Sequence, residues 1–421
     1  MEKLLINGNK DLNGEISISG SKNAALPIIF ATLLSHKPIL INNIPKLQDV
    51  NISLKLLKHF GSKIQYYDQH SVCLESNSLI SLDAPYELVK KMRASILSLG
   101  PLLTRFGEVK VSLPGGCAIG QRPVDQHISA LKKMGAKICI DHGFIIAKCN
   151  KLKGCTIKNN IVSVTGTENI MMAAVLAEGT TIIENAACEP EIVDLANFLI
   201  QIGAKIYGHG TPKIIIDGVH SLHGVSYKIS SDRIEAGTFM CAVGATKGDI
   251  LLKNVNPLEM KATISILRSA GLNISTGDNW IRCQMFDKPL PINFETDIYP
   301  GIPTDMQAQL MALSTVAKGK SLIIENIFEN RFMHAQELCR LGANIDINGN
   351  KATIYGVNYL SGTNVLATDL RASASLIIAG LSAKGETLIE DIYHLDRGYE
   401  NMEFKLNSIG ADIKRIIYDE D

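Results

Sequence analysis

The chain has 421 residues, 46% of them hydrophobic, and its 42 basic and 42 acidic side chains give a formal net charge of zero. This balance excludes a strong overall basic field, so we expect neither nucleic acid nor a membrane as a partner. The length exceeds one ordinary hydrophobic core and predicts two domains. The longest apolar run, Ala24 to Leu34, is too short to span a membrane, which predicts a cytoplasmic protein.

Six segments rich in alanine and aliphatic residues are predicted to form helices that are apolar nearly all round and therefore buried. In chain order they are SKNAALPIIFATLL, MRASILSLGPLL, TGTENIMMAAVLA, SDRIEAGTFMCAVGA, PTDMQAQLMALSTVA and TDLRASASLIIAGLS. A short strand follows each of these helices, and an amphipathic outer helix follows the strand. Each outer helix ends at a glycine that fits the left-handed position, and these glycines are Gly61, Gly135, Gly203, Gly271, Gly342 and Gly410.

The repeat predicts an α/β protein whose unit is strand, buried helix, strand, loop, outer helix and a closing pair of strands. Six units divide into two domains of three, namely residues 22–229 and residues 1–21 plus 230–421. We expect the active site in the cleft between these domains. Residues 1–20 are predicted to supply a strand, which could pair with the last repeat. No GxGxxG or GxxxxGK[ST] motif follows a strand, so a nucleotide-fold phosphate loop is not predicted.

The segment Pro114 to His127, PGGCAIGQRPVDQH, contains glycines and prolines that break helices and strands and is predicted to be a surface loop of the first domain. Its thiol, Cys117, is a candidate general acid or nucleophile, and the nearby Arg122 would tune the pKa of that thiol. Most of the other cysteines, for example Cys139, Cys149 and Cys241, lie in apolar runs and are predicted to be core residues. Nine cysteines without CxxC pairs favour reduced thiols, and we expect no metal and no cofactor.

Charged and polar residues recur at two places in the repeat, the start of the buried helix and the loop after the middle strand. A helix start offers backbone N–H groups and partial positive charge, so it suits an anion. Six of the 11 arginines lie at these places, and arginine binds carboxylate and phosphate bidentately. The recurring residues are Lys22, Asn23, Arg93, Cys117, Arg122, Thr167, Glu168, Glu189, Asp232, Arg233, Asp305, Arg331, Asp369, Arg371, His394 and Arg397.

These residue types predict a small polyanionic substrate and group transfer from a phosphorylated donor to an alcohol. Asp305 is the candidate general base for the hydroxyl. Simpler interpretations stay open for Asp232, Asp369 and Asp305, which are also typical of helix starts and caps. His127 and His394 are weaker candidates.

The chain resembles the enolpyruvyl transferases, and among them those that use UDP-N-acetylglucosamine. The resemblance runs from end to end and rests on the motifs SGSKNAALP, LPGGCAIGQRPVDQH, ENAACEPEIVDL, SDRIEAGTF, YPGIPTDMQAQ, ENIFENRFMH, TDLRASASL and HLDRGYE. It implies two inside-out α/β barrel domains, each of three similar repeats with buried helices and strands outside them. It also implies transfer of enolpyruvate from phosphoenolpyruvate to the 3′-hydroxyl of UDP-N-acetylglucosamine, the first committed step of peptidoglycan synthesis.

The resemblance implies specific roles for residues of this chain. Lys22, Arg122 and Arg397 would hold the donor phosphate, with Arg331 and Arg371 assisting. Asn23 and Asp305 would meet the sugar, and Cys117 would be the acid–base residue, which also reacts with fosfomycin. The remaining substrate-binding residues implied are Arg93, Ile327 and the segment Val162, Ser163, Val164, Thr165, Gly166 and Thr167.

Two other functions remain as alternatives. One is enolpyruvyl transfer to shikimate-3-phosphate, against which the Cys117 loop argues. The other is a repeat protein that binds nucleotide sugars without catalysis, against which Lys22, Cys117 and Asp305 argue together.

Overall fold

The computed structural model describes residues 2–113 and 124–417. The candidates Cys117 and Arg122 therefore lie outside the described residues. In the described part of the chain, no helix has the length and apolarity needed to cross a membrane.

The strands of the described residues are short, and most have three to six residues. Their bounds are β1 (Glu2–Asn7), β2 (Leu12–Ser17), β3 (Ile39–Asn42), β4 (Lys63–Tyr66), β5 (Ser71–Glu75), β6 (Asp83–Ala84), β7 (Glu108–Ser112), β8 (Lys137–Asp141), β9 (Phe144–Lys148), β10 (Thr156–Lys158), β11 (Thr180–Glu184), β12 (Lys205–Tyr207), β13 (Lys213–Asp217), β14 (Ser226–Lys228), β15 (Gly248–Lys253), β16 (Asn273–Gly277), β17 (Trp280–Met285), β18 (Asn293–Glu295), β19 (Lys320–Ile324), β20 (Asn344–Asn348), β21 (Lys351–Tyr355), β22 (Asn364–Leu366), β23 (Glu386–Glu390) and β24 (Ile413–Ile417).

The helices alternate with these strands along the chain. The α-helices are α1 (Lys22–Ala31), α2 (Gln48–Phe60), α3 (Tyr86–Val89), α4 (Leu99–Phe106), α5 (Asp125–Lys133), α6 (Val164–Ala174), α7 (Pro190–Gln201), α8 (Arg233–Thr246), α9 (Lys261–Ser269), α10 (Gln307–Ser314), α11 (His334–Arg340), α12 (Leu370–Ser382), α13 (Tyr393–Asp396) and α14 (Met402–Asn407). Short 3₁₀ helices are formed by Thr32–Leu34, Arg93–Ser98, Pro257–Met260 and Thr304–Met306.

The described strands form six four-stranded sheets with one shared topology. In each sheet the first pair of strands is parallel and the other two pairs are antiparallel. The strand orders are β14-β3-β5-β4, β6-β7-β9-β8 and β10-β11-β13-β12, then β2-β15-β17-β16, β18-β19-β21-β20 and β22-β23-β1-β24. Six copies of one topology are the structural form of the repeat in the sequence.

The described residues cluster into two compact units, each with its own hydrophobic core. One unit lies between Gly20 and Ser230, and the other combines the residues up to Ser19 with those from Ser231 onward. In the first sheet of each unit, the strand at the parallel edge comes from the segment that precedes the first buried helix of the other unit. β2 precedes α1 in sequence but pairs with β15, whereas β14 precedes α8 but pairs with β3. The N-terminal segment thus supplies two strands, of which β1 pairs with β23 and β24 of the last sheet.

The segments predicted as buried helices form the centre of each unit. In the second unit α8, α10 and α12 pack against one another, and every residue of α10 is buried. In the first unit α4 packs against α6, and α1 packs against the 3₁₀ helix Arg93–Ser98. The sheets surround these helices, so the fold class predicted from the sequence, two inside-out α/β domains of three repeats, is confirmed.

The outer helices end as the repeat predicts. The six repeat glycines have φ angles between 95° and 108°, the left-handed region that a residue with a Cβ rarely adopts. Gly61 shows the geometry, because its N–H closes α2 on the carbonyls of Leu57 and Lys58.

Cysteine burial matches the prediction only in part. Cys241 is buried on α8, Cys149 is half-buried, and Cys139 is exposed. The prediction for Cys139 is wrong because β8 is an edge strand whose side chains are mostly exposed on both faces. All described cysteines are free thiols.

Candidate functional site

Three of the predicted site residues form one ion-pair cluster in the second unit. Nη2 of Arg331 lies 3.0 Å from Oδ1 of Asp305, and Nη2 of Arg371 lies 2.9 Å from Oδ2. Both arginine side chains are almost fully buried, whereas the Asp305 side chain is 24% exposed. The carboxylate is therefore oriented from one side by two guanidinium groups and reaches the surface on the other.

Arg371 is placed by the N-terminus of α12. Asp369 caps this helix, and its Oδ1 accepts from the backbone N–H groups of Arg371 and Ala372 at 2.9 and 3.0 Å. Burial by itself lowers the pKa of Arg371, but Asp305 and other neighbours outweigh it, so the pKa lies above its usual value. Its guanidinium carbon also lies 5.3 Å from the ring centroid of Tyr399, within cation–π range.

Arg331 follows a loop that a buried carboxylate, Glu325, organises. Oε1 of Glu325 accepts from Oγ1 of Thr296 at 2.9 Å and from the backbone N–H of Ile327 at 2.9 Å. The hydroxyl of Thr304, the residue before Asp305, donates to both oxygens of Glu325 at 3.0–3.1 Å. Glu325 therefore connects the loop that leads to Arg331 with the segment that carries Asp305. The predicted contact residue Ile327 lies in this loop and is 37% exposed.

The remaining polar residues of the second unit lie at equivalent places. Asp232 caps α8, and its Oδ1 accepts from the N–H groups of Ile234 and Glu235 at 2.8 and 2.9 Å. The capping interpretation is therefore correct for both Asp232 and Asp369. Arg397 directly follows α13 and is half-buried.

Lys22 is the first residue of α1 and lies in the first unit. Its Nζ is 2.8 Å from Oδ2 of Asp49, which lies in the first turn of the outer helix α2. Ser21 caps α1 by accepting from the backbone N–H of Ala24, and Asn23 is half-buried beside Lys22. The ion pair holds the ammonium group at the N-terminal end of a buried helix, where an anion is favoured.

The segment Val162–Thr167 forms the N-terminus of α6. Oγ of Ser163 accepts from the N–H of Gly166 at 3.1 Å, and Val164 is the first helical residue. Oγ1 of Thr167 accepts from the backbone N–H of Ala187, so it is used in packing α6 against the next loop. The substrate contacts that the resemblance implies for this segment would therefore be made at a capped helix N-terminus.

His127 is held inside the first unit. Nδ2 of Asn169 lies 2.9 Å from Nδ1 of His127 and 3.1 Å from the carbonyl of Ile96. Oδ1 of Asn169 accepts from the N–H of Gly100, which fixes the amide orientation. His127 Nδ1 is then the acceptor, and Nε2 carries the proton. Burial, with a smaller effect of Arg93, lowers the pKa of His127 to about 4, and the ring is used in the contact between α5 and α6.

Acidic side chains meet where α6 and α7 begin. Glu168 and Glu191 are buried, and Glu189 is the N-cap residue of α7. Burial, followed by the charges of Glu191 and Glu189, raises the pKa of Glu168 well above its usual value. Burial and the neighbouring acidic side chains therefore disfavour the charged form of Glu168 in the folded protein.

The structure brings Asp305, Arg331 and Arg371 together in the second unit, and it adds residues that sequence reasoning did not assign. Asp49, Glu325 and Tyr399 each contact or support a candidate residue. Glu325 is the first residue of the motif ENIFENRFMH, and Tyr399 belongs to the motif HLDRGYE. The motif was a signal for Tyr399, but its partners become visible only in three dimensions.

The arrangement around Asp305 is suited to an anionic ligand. Among the described atoms, Nη1 of Arg331 and Nε and Nη1 of Arg371 are buried donors without a hydrogen-bond acceptor. Buried donors in native structures are nearly always satisfied, so donors of this kind point to a ligand or water. No group of three metal-ligating side chains occurs among residues 2–113 and 124–417.

Comparison with known proteins identifies the family. The chain matches the family EPSP synthase (3-phosphoshikimate 1-carboxyvinyltransferase) over residues 6–406. Among solved structures it is similar to the enolpyruvyl transferase NikO from Streptomyces tendae, with a TM-score of 0.87, 23% identity and 99% of each chain covered. It is also similar to EPSP synthase from Acinetobacter baumannii, with a TM-score of 0.78, 19% identity and 99% and 100% coverage. These structures share the fold of the chain, and the family match covers most of its length. The chain therefore belongs to the EPSP synthase family of enolpyruvyl transferases, which take the enolpyruvyl group from phosphoenolpyruvate.

Proposed function

We propose that this enzyme transfers the enolpyruvyl group to the 3′-hydroxyl of UDP-N-acetylglucosamine and releases phosphate. It would then be a UDP-N-acetylglucosamine 1-carboxyvinyltransferase of the cytoplasm that catalyses the first committed step of peptidoglycan synthesis. The observation that carries the proposal is the Asp305 cluster, in which two buried arginines orient a partly exposed carboxylate and keep further donors for an anion. The loop motif LPGGCAIGQRPVDQH supports this acceptor over shikimate-3-phosphate.

Each predicted residue has a role in the proposed reaction. Lys22, Arg122 and Arg397 bind the donor phosphate, and Arg331 and Arg371 add positive charge next to it. Asn23 and Asp305 bind the sugar. The nucleotide would be bound by Arg93, Ile327 and the α6 N-terminus, Val162 to Thr167.

The proposed chemistry is addition followed by elimination. Cys117 gives a proton to C3 of the donor while the 3′-oxygen of the sugar forms a bond to C2, and Asp305 takes the hydroxyl proton. The tetrahedral adduct then loses a proton from C3 as the bond between C2 and the phosphate oxygen breaks. The cationic side chains stabilise the phosphate that leaves by electrostatic interaction.

A phosphate-release assay tests the acceptor. With phosphoenolpyruvate and UDP-N-acetylglucosamine, the wild type should release phosphate, whereas Cys117→Ser and Asp305→Asn should lose at least about 100-fold in kcat. Turnover with shikimate-3-phosphate instead would assign the acceptor of the alternative function. No phosphate release with either acceptor would favour a protein that binds nucleotide sugars without catalysis.

A further inference from the structure

A buried polar network lies where the central helices of the second unit meet. It consists of Thr238 on α8, Gln309 on α10 and Tyr399 after α13, and all are buried. The hydroxyl oxygens of Thr238 and Tyr399 are 2.8 Å apart. Nε2 of Gln309 lies 3.0 Å from the Thr238 oxygen and 3.2 Å from the Tyr399 oxygen.

The directions of these hydrogen bonds are fixed by one donor. The Thr238 hydroxyl donates to the backbone carbonyl of Ile234 at 2.8 Å, so its oxygen must accept from Tyr399. Gln309 donates its amide hydrogens to this pair and to the backbone carbonyl of Asp305, which is 2.8 Å away. One path of hydrogen bonds therefore runs from the Tyr399 hydroxyl to the backbone of Asp305.

A second path reaches the carboxylate of the same residue. The guanidinium of Arg371 lies over the Tyr399 ring at 5.3 Å, and its Nη2 donates to Oδ2 of Asp305 at 2.9 Å. The ring restricts the plane of a guanidinium group that is itself almost fully buried. Tyr399 thus contacts two side chains that hydrogen-bond to Asp305: Gln309 through its hydroxyl and Arg371 through its ring.

In the first unit, Asn169 lies at the helix position equivalent to that of Thr238, but it has different hydrogen-bond partners. Asn169 and Thr238 follow their N-caps, Ser163 and Asp232, at the same spacing. Asn169 bonds to the backbone and to His127, which is a structural role. Buried polar groups cost stability relative to an apolar core. Unlike the hydrogen bonds of Asn169, those of Thr238 continue through Gln309 to Asp305.

We infer that Tyr399 is a positioning residue for Asp305, acting through Gln309 on its backbone and through Arg371 on its carboxylate. The inference rests on the proposed role of Asp305 as the base for the acceptor hydroxyl. A base must lie within hydrogen-bond reach of the proton that it takes, so a small rotation of this carboxylate reduces the rate more than it reduces binding.

The variant Tyr399→Phe tests the hydroxyl while keeping the ring. We expect kcat to fall about tenfold, which corresponds to about 1.4 kcal/mol in the activation free energy, and KM for phosphoenolpyruvate to stay within about twofold. Tyr227→Phe is the matched control, because its buried hydroxyl bonds to Asp194 in the other unit. The control should lose a similar amount of thermal stability and keep its kcat. A kcat of Tyr399→Phe equal to that of the wild type would overturn the inference.

A second variant separates positioning from a general loss of stability. Thr238→Val removes the acceptor of the Tyr399 hydroxyl with little change in volume. Because both residues act along one path, the double variant should lose about as much kcat as either single variant. Losses that multiply in the double variant would show independent effects and would contradict the shared path.

Crystal structures of the wild type and of Tyr399→Phe provide a test that needs no turnover. In the variant we expect the distance from Gln309 Nε2 to the Asp305 carbonyl to exceed about 3.5 Å, with rotation of the carboxylate. An unchanged Asp305 would overturn the inference whichever acceptor the enzyme uses. Failure of the proposed acceptor would appear elsewhere, as absence of phosphate release by the wild type with UDP-N-acetylglucosamine.

Discussion

Nζ of Lys22 lies 2.8 Å from Oδ2 of Asp49, and both side chains are buried. The pair joins the start of the central helix α1 to the first turn of the outer helix α2. Removing a charge from water is costly, so a buried ammonium group requires a partner of opposite charge. Asp49 therefore stabilises Lys22 in the position that we propose for binding the donor phosphate.

Replacement of Asp49 by Asn should destabilise the protein. We expect the free energy of unfolding, measured by urea titration, to fall by about 3 kcal/mol because the ammonium of Lys22 loses its charged partner. The double variant Lys22→Met, Asp49→Leu should recover part of this loss, although it should be inactive. A single variant as stable as the wild type would show that Lys22 does not depend on Asp49.

Replacement of Arg371 by Lys should separate geometry from charge. Lysine keeps the positive charge but loses the planar fork that contacts Asp305 and stacks on Tyr399. We expect kcat/KM in the phosphate-release assay to fall by at least about 100-fold. Arg282→Lys is the control, because Arg282 also pairs with an aspartate, Asp249, but is about half exposed. Equal losses in both variants would contradict a specific role for Arg371.

The raised pKa of Glu168 predicts a pH-dependent stability difference. The folded protein binds this proton more tightly than the unfolded chain does, so its contribution is complete below the ordinary glutamate pKa of 4.5. That contribution is lost as the pH rises toward the raised folded value. Glu168→Gln removes the effect, so its melting temperature should exceed that of the wild type at pH 8 and approach it near pH 4.

A control and a contrary result complete this test. Glu178→Gln changes an exposed glutamate beyond the same helix and should leave the pH dependence unchanged. If Glu168→Gln and the wild type melt in parallel at every pH, the pKa of Glu168 is not raised in the folded protein.

His127 should remain neutral over most of the pH range of the enzyme. Its pKa of about 4 lies below the ordinary value of 6.5, so the stability that it contributes is lost as the pH falls from 6.5 toward 4. Nitrogen-15 NMR of labelled histidine should show the tautomer with the proton on Nε2, because Asn169 donates to Nδ1. A His127 resonance that titrates near pH 6.5 would contradict this burial and pairing.

Much of the fold could be predicted from the sequence because the same local sequence patterns occur in six repeats. The buried helices, the left-handed glycines and the alternation of helices and strands follow from apolar patterning and turn chemistry. The grouping of Asp305, Arg331 and Arg371 also followed in outline. Asp305 and Arg371 lie at starts of buried helices and Arg331 lies in a loop after a middle strand, the two places in the repeat where polar residues recur.

Other features depend on tertiary partners that no local pattern reveals. β2 pairs in parallel with β15, and β14 pairs in parallel with β3, although the strands of each pair are far apart in sequence. Cys139 lies in an apolar run, but the edge position of β8 leaves it exposed. Tyr399 acts through partners from other repeats, Thr238 and Gln309, and Glu325 acts through partners on two separate segments of its own repeat, so their types alone predicted no role.

The most direct test of the proposed reaction is product analysis after turnover in D₂O. With phosphoenolpyruvate and UDP-N-acetylglucosamine, addition and elimination should give phosphate and an enolpyruvyl ether of the sugar. Because C3 gains a solvent deuteron and then loses a hydrogen, mass spectrometry and NMR should find deuterium in the vinyl group of that product. Formation of no enolpyruvyl ether, or of one whose vinyl group contains no deuterium, would contradict the proposed reaction.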